Sequence, residues 1–195
     1  VMLKEFKPTI FFLVKFFVIF LALSALYGQY IKSYDTSDPP QTDPITRFVT
    51  YNCVGAGTLM GYETMVLEDD HLNYDVVEET TFDGLLMDGM NAISVEEGCN
   101  GVSIMLLFVA FVIAFGGKWL NLVLFIPAGL LVIHLANIGR LMLLSLLNVE
   151  MGGQAFHFFH KYFFTASIYL AVLLLWYLWA VKFSGKANSK KAEEI

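Results

Sequence analysis

The chain has 195 residues, 57% of them hydrophobic and only 15% charged, with a formal net charge of −6 and a mean hydropathy of +0.63. This composition excludes an ordinary soluble globule and places the chain among membrane proteins. The acidic balance, with no basic surface outside the C-terminal tail, excludes a nucleic-acid partner.

The first apolar stretch runs from Thr9 to Tyr30, behind a leader containing Lys4, Glu5 and Lys7. It is long enough for the roughly 20 residues a helix needs to cross a bilayer. Ala22-Leu23-Ser24 resembles the cleavage site of a signal peptide, but the apolar run continues beyond it to Ile31, which favours a retained membrane helix.

From Lys32 to Gly98 the composition changes. This stretch holds fourteen of the eighteen acidic residues, opposed only by Lys32 and Arg47. Its opening, Asp35 to Pro44, contains three prolines and reads as a turn-rich linker. Ile45 to Met60 reads as a short interfacial helix. Tyr62–Val66 and Asp75–Phe82 are β-branched and aromatic runs separated by Glu68 to Asn73, a hairpin pattern, and Met90–Val95 offers a third strand leading towards Cys99. About 65 residues make a small independent core, so this segment is expected to pack onto the membrane helices.

Gly101 to Phe115 is the second apolar run, closed by Gly116-Gly117-Lys118. At about 1.5 Å per residue it covers about 22 Å, which puts Cys99 within a turn of the outer boundary. The third run extends from Trp119 to Leu147, with Pro127 as an expected kink and polar insertions at His134, Asn137 and Arg140. A turn from Asn148 to Gln154 follows. The last run is Phe158 to Phe183, flanked by Lys182, Lys186, Lys190 and Lys191, with Trp176 and Trp179 as expected interfacial anchors.

The fold class is therefore an all-α membrane protein, a four-transmembrane-helix bundle with a small extracytoplasmic segment containing a β-hairpin. The expected organisation is an N-terminal transmembrane helix (1–31), an acidic extracytoplasmic segment (32–98), a three-helix membrane core (99–185) and a basic tail (186–195). Lysines in the leader, the Lys118 turn and the tail place both termini in the cytoplasm.

On this topology Cys99, Arg140 and His160 come from three helices and arrive at one depth. Arginine inside a span costs at least ~2.5 kcal/mol at the bilayer centre, so it should face the bundle or the interface. A cysteine beside arginine and imidazole, at a helix N-terminus, ionises more readily, although Glu96 and Glu97 oppose this. One reading makes Cys99 a thiol nucleophile, His160 its proton-transfer partner and Arg140 a stabiliser of thiolate or oxyanion. Each residue also has an inert reading: a packed cysteine, an arginine snorkelling to phosphates, a histidine capping a helix. His157 competes with His160, three residues away on one helix face. His134 reads as packing or hydrogen-bonding within the bundle, and His71 as solvated. Asn137, one turn before Arg140, orients the guanidinium or makes a helix–helix hydrogen bond. Cys53 and Cys99 both lie outside the cytoplasm, where a disulfide between them would remove the nucleophile.

Glu97-Gly98-Cys99-Asn100-Gly101, then Asn137-Ile138-Gly139-Arg140, then Phe159-His160-Lys161-Tyr162-Phe163-Phe164 resemble, in order, the cysteine, arginine and histidine blocks of the exosortase/archaeosortase family. The run Glu97 to Phe115 is most similar to the exosortase F branch. The resemblance covers about Val95 to Trp179, and one departure is visible: the family commonly has Cys-Ser-Gly where this chain has Cys99-Asn100-Gly101.

The resemblance implies a membrane-embedded cysteine transpeptidase in the bacterial cytoplasmic membrane, with its active site on the extracytoplasmic face. Its partners would be exported proteins bearing a C-terminal sorting signal, membrane lipids and an amine acceptor. Cys99, Arg140 and His160 carry over as the catalytic set, with Asn100, Asn137 and His157 as candidate substrate-binding residues, and no cofactor or metal is implied. Two other readings stand beside it. One is a non-catalytic module that holds an exported partner. The other is a metal or haem site on His157, His160 and Cys99, which lacks supporting ligand spacing.

Overall fold

In the computed structural model, residues 2–37, 41–70, 82–151 and 164–184 are described. The elements in order are α1 (Met2–Asp35), α2 (Pro44–Leu59), β1 (Thr64–Asp70), β2 (Phe82–Met87), β3 (Met90–Val95), a 3₁₀ turn (Glu97–Cys99), α3 (Val102–Phe115), α4 (Trp119–Met151) and α5 (Phe164–Leu178), which continues as a π-helical turn (Trp179–Phe183). The chain divides into two compact units. The first comprises Val1–Tyr27, Val102–Ile133 and Tyr169–Ile195; the second comprises Gly28–Gly101 and His134–Ile168.

In the first unit the core is Phe108 and Val112 of α3, Ile133 of α4, and Val172, Leu175 and Trp179 of the last helix. The spacing of the last three puts them on one helical face. Trp179 is therefore fully buried and does not anchor an interface as its position near the tail suggested. Trp176 stacks on Phe111 with ring centroids 4.2 Å apart, and Phe12 and Phe16 of α1 meet the same aromatic group edge-on. The opposite side of α1 exposes Phe11, Val14, Phe17, Val18 and Leu21, an apolar surface that suits lipid and not water.

Among the described residues three helices are long and apolar enough to cross a membrane: Phe6–Asp35, Trp119–Glu150 and Ala166–Phe183. The expected second span, α3, has 14 residues and falls short of that length, so the count of four is not reached. The turn expected from Asn148 is helical as far as Met151, since α4 continues through Pro127 to that residue, and its remainder lies outside the described residues.

The second unit is built on α2 and the sheet. Asp43 caps α2, its Oδ1 accepting from the backbone N–H of Ile45 at 2.9 Å and Thr46 at 3.2 Å, with Pro44 at the first helical position. The helix expected at Ile45 to Met60 is thus present with nearly the expected ends. The three strands form an antiparallel meander in the order β1-β2-β3. The third matches expectation; the first begins later than expected and runs through Glu68 to Asp70, which were expected in the turn; the second, Phe82–Met87, was not anticipated, and the expected strand Asp75–Phe82 lies, apart from Phe82, outside the described residues. The β2–β3 hairpin turns on Asp88-Gly89, with φ of 50° and 77° and Met87 paired to Met90. Those values belong to a two-residue type I′ turn, for which Asp-Gly is a favoured sequence.

Leu85, Met87, Ala92, Ile93 and Val95 of the sheet pack with Val49 and Cys53 of α2 and with Ile138, Leu141, Met142 and Leu144 of α4. Asp83, fully buried on β2, accepts from Arg47 Nε at 3.3 Å and so ties α2 to the sheet. Asn148 closes the far end, donating to the carbonyl of Ala92 at 2.9 Å.

Candidate active site

β3 ends at Val95 and the chain turns at once through Glu97–Cys99, with the Cys99 N–H donating to the Glu96 carbonyl at 2.8 Å. Gly101 follows with φ of +82°, a left-handed conformation that glycine adopts without penalty. A Cβ there would lie 3.2 Å from Cγ and Nδ2 of Asn137, so the turn presses closely on α4.

Three hydrogen-bonding contacts define the site. Arg140 Nη2 lies 4.0 Å from Cys99 Sγ. Arg140 Nη1 donates to Asn137 Oδ1 at 3.5 Å. Asn137 Nδ2 donates to the Cys99 carbonyl at 2.9 Å. Cys99 and Arg140 are half-buried, and Asn137 is fully buried. Arg140 Nε is also shielded and, among the described residues, has no hydrogen-bond partner. A shielded donor without a protein acceptor is uncommon in native structures.

Burial pushes the Cys99 thiol above its ordinary pKa, and the Glu96 carboxylate adds to this; the Arg140 guanidinium and a backbone hydrogen bond pull the other way. Beside the turn lies a cleft of about 220 Å³ lined in part by Asp35, Asp43, Glu96 and Glu97. Burial and these neighbouring carboxylates push Glu97 up as well.

Asn100, the departure from the family's usual serine, is almost fully buried and donates from Nδ2 to Thr46 Oγ1 at 2.9 Å. It thereby links the nucleophile's turn to the start of α2. Nothing in the sequence flagged Thr46, because its partner is 54 positions away and the pairing is made only by the fold.

Cys53 and Cys99 are both free thiols, so the disulfide considered for them is not formed. Cys53 is fully buried in the core of the second unit. His134 stacks on Phe48 with centroids 5.5 Å apart, in keeping with its expected packing role. His71, His157 and His160 lie outside the described residues, and so does the last of the three motif blocks up to Phe163.

The model of the transmembrane exosortase family matches residues 5–178. The chain belongs to that family. Neither the curated proteins nor the solved structures hold a match to it. Membership makes the protein a multi-pass membrane protein of the sorting-transpeptidase type, a class that acts on exported proteins carrying sorting signals.

Proposed function

We propose that the protein cleaves the C-terminal sorting signal of an exported protein through a thioester at Cys99 and passes the acyl group to an amine acceptor. The observation that carries this reading is the 4.0 Å approach of Arg140 Nη2 to Cys99 Sγ, from a helix 41 positions away. A thiol and a guanidinium held together suit acyl transfer.

In the resting site burial and the Glu96 charge keep Cys99 protonated, and Arg140 opposes them only in part. When sulfur attacks the backbone carbonyl near the signal motif, negative charge moves to the carbonyl oxygen. A donor at 4.0 Å from sulfur reaches an oxygen one carbon removed from it at roughly 3 Å. Arg140 Nε, shielded and without an acceptor among the described residues, is a second donor available to that oxygen. His160, carried over from the family pattern, would take the thiol proton and return it to the departing amine. Attack of the acceptor amine on the thioester then releases the product and restores Cys99.

The four-span arrangement, with both termini cytoplasmic and the site on the outer face of the bacterial cytoplasmic membrane, is part of this proposal. It rests on the lysine distribution and on α3 crossing as a short fourth span. The similarity of Glu97 to Phe115 to the exosortase F branch supports that branch as the nearest.

Intact-mass analysis of purified protein with signal-bearing substrates tests the chemistry. Wild type should accumulate a hydroxylamine-labile adduct, Cys99→Ala should form none, and Arg140→Ala should form it on the order of 100-fold more slowly. No adduct from folded, reduced wild type, with substrate binding unchanged in Cys99→Ala, would replace this reading with that of a non-catalytic binding module.

A further inference from the structure

We propose that Asn137 is the positioning residue of this site: its amide clamps the peptide of Cys99 with one end and aims Arg140 at the sulfur with the other, instead of contacting substrate. The inference rests on the assignment of Cys99 and Arg140 made under Proposed function and adds to it the group that brings them into register.

Four observations converge on Asn137. Its side chain is completely buried, although it carries both a donor and an acceptor. Its Nδ2 donates at 2.9 Å to the carbonyl of the nucleophile's own peptide, and its Oδ1 accepts from Arg140 at 3.5 Å. One planar amide therefore spans the main chain of one reacting partner and the side chain of the other. Asn137 and Arg140 are three residues apart on α4, which puts them on one face of the helix. Finally, the turn is shaped to admit the amide: at Gly101 a Cβ would stand 3.2 Å from two of its atoms.

The consequence for the reaction is geometric. The Cys99 side chain leaves the same residue whose carbonyl is held, so the clamp restricts where Sγ can lie. Fixing Nη1 on Oδ1 leaves Nη2 on the sulfur side. With both of its polar ends engaged by the protein and its surface buried, Asn137 has little left to offer a substrate. Asn100 braces the next peptide against Thr46 and supports the turn from the side of α2.

The test uses the full chain in detergent or nanodiscs and compares wild type, Asn137→Ala, Asn137→Asp and Gly101→Ala. Two readouts are taken: the pH dependence of iodoacetamide alkylation at Cys99, followed by peptide mass mapping, and kcat and KM with a signal-bearing substrate. Among the described residues the charged groups around the thiol are Arg140 on α4 and Glu96 on its own turn, with Asp35, Asp43 and Glu97 lining the adjacent cleft, and His160 joins them in the proposed mechanism.

Asn137→Ala is expected to move the Cys99 profile to higher pH and to lower kcat on the order of 100-fold at nearly constant KM. Asn137→Asp keeps the shape, sets a carboxylate against the Cys99 carbonyl and draws Arg140 away from sulfur, so its profile should move the same way. Gly101→Ala should reproduce the shift by displacing the amide. If Asn137→Ala does not fold, the near-isosteric aspartate decides. The inference is overturned if the folded variants keep the wild-type Cys99 profile and kcat and lose only thermal stability. It is equally overturned if the loss lies in KM with an unchanged thiol profile, which would make Asn137 a substrate contact. Either result with Cys99 still essential removes this inference alone, whereas activity surviving in Cys99→Ala removes the underlying reading.

Discussion

The two cysteines show how surroundings divide one residue type into two chemistries. Cys53 has no exposed surface and packs in the core with Val49, Leu85 and Leu141. Burial pushes its thiol up to about 12. Cys99 is also pushed up, but it sits on a turn, is only half-buried and has Arg140 beside it. In native protein at pH 8, iodoacetamide should therefore label Cys99 and leave Cys53 unmodified until the chain is denatured, as mass mapping would read directly. Labelling of Cys53 at a comparable rate would contradict the packing around it. The same burial links to stability. A thiol raised from 9.0 unfolded to about 12 folded stabilises the native state in its neutral form. That contribution is complete below pH 9 and is lost as the pH climbs through 12. Thermal midpoints should fall across this window, and Cys53→Ala should flatten the fall. Cys99 and Arg140 were legible because a motif carries them. Thr46 was not, since a hydroxyl 54 residues from its partner leaves no local pattern.

At the level of elements, what was legible followed from local chemistry. Ile45 to Met60 reads as a helix, and α2 covers it to Leu59, with Asp43 and Pro44, expected in the linker, forming its cap and first turn. Met90–Val95 reads as a strand and is a strand. Its partner β2, Phe82–Met87, was not anticipated, although Asp88-Gly89 is a two-residue turn that joins the two strands. Between α3 and α4 the decisive feature is a missing side chain. A Cβ on Gly129 would stand 2.2 Å from Cζ of Phe108, itself fully buried. Small residues let membrane helices approach closely, and here the space is filled by a ring. Gly129→Leu should therefore force α3 from α4 and lower stability by about 1–3 kcal/mol or more. A thermal midpoint in detergent unchanged from wild type would show that the contact contributes little.

For the molecule as a whole, the proposed topology turns on α3 crossing the membrane as a short fourth span. Fourteen residues make a helix of about 21 Å against a hydrocarbon core about 30 Å thick. Local thinning of the bilayer accommodates a mismatch of that kind at modest cost. The proposed topology predicts that an impermeant maleimide reaches Cys99 in right-side-out vesicles and not in inverted ones, and that protease clips the lysine-rich tail only in inverted ones. The opposite pattern for either site would break the four-span arrangement. The membrane class, the apolar helices and the acidic segment were set by the sequence alone, because hydrocarbon admits only long apolar runs with internally paired backbones, and such runs are visible residue by residue. The order of the motif blocks was equally plain. Tertiary structure alone decided that Trp179 is core, that Cys53 is fully buried with its thiol free, and that Asn137 bonds both the Cys99 carbonyl and Arg140. Each of these depends on which faces of distant segments come together, and that is fixed by packing and not by spacing along the chain.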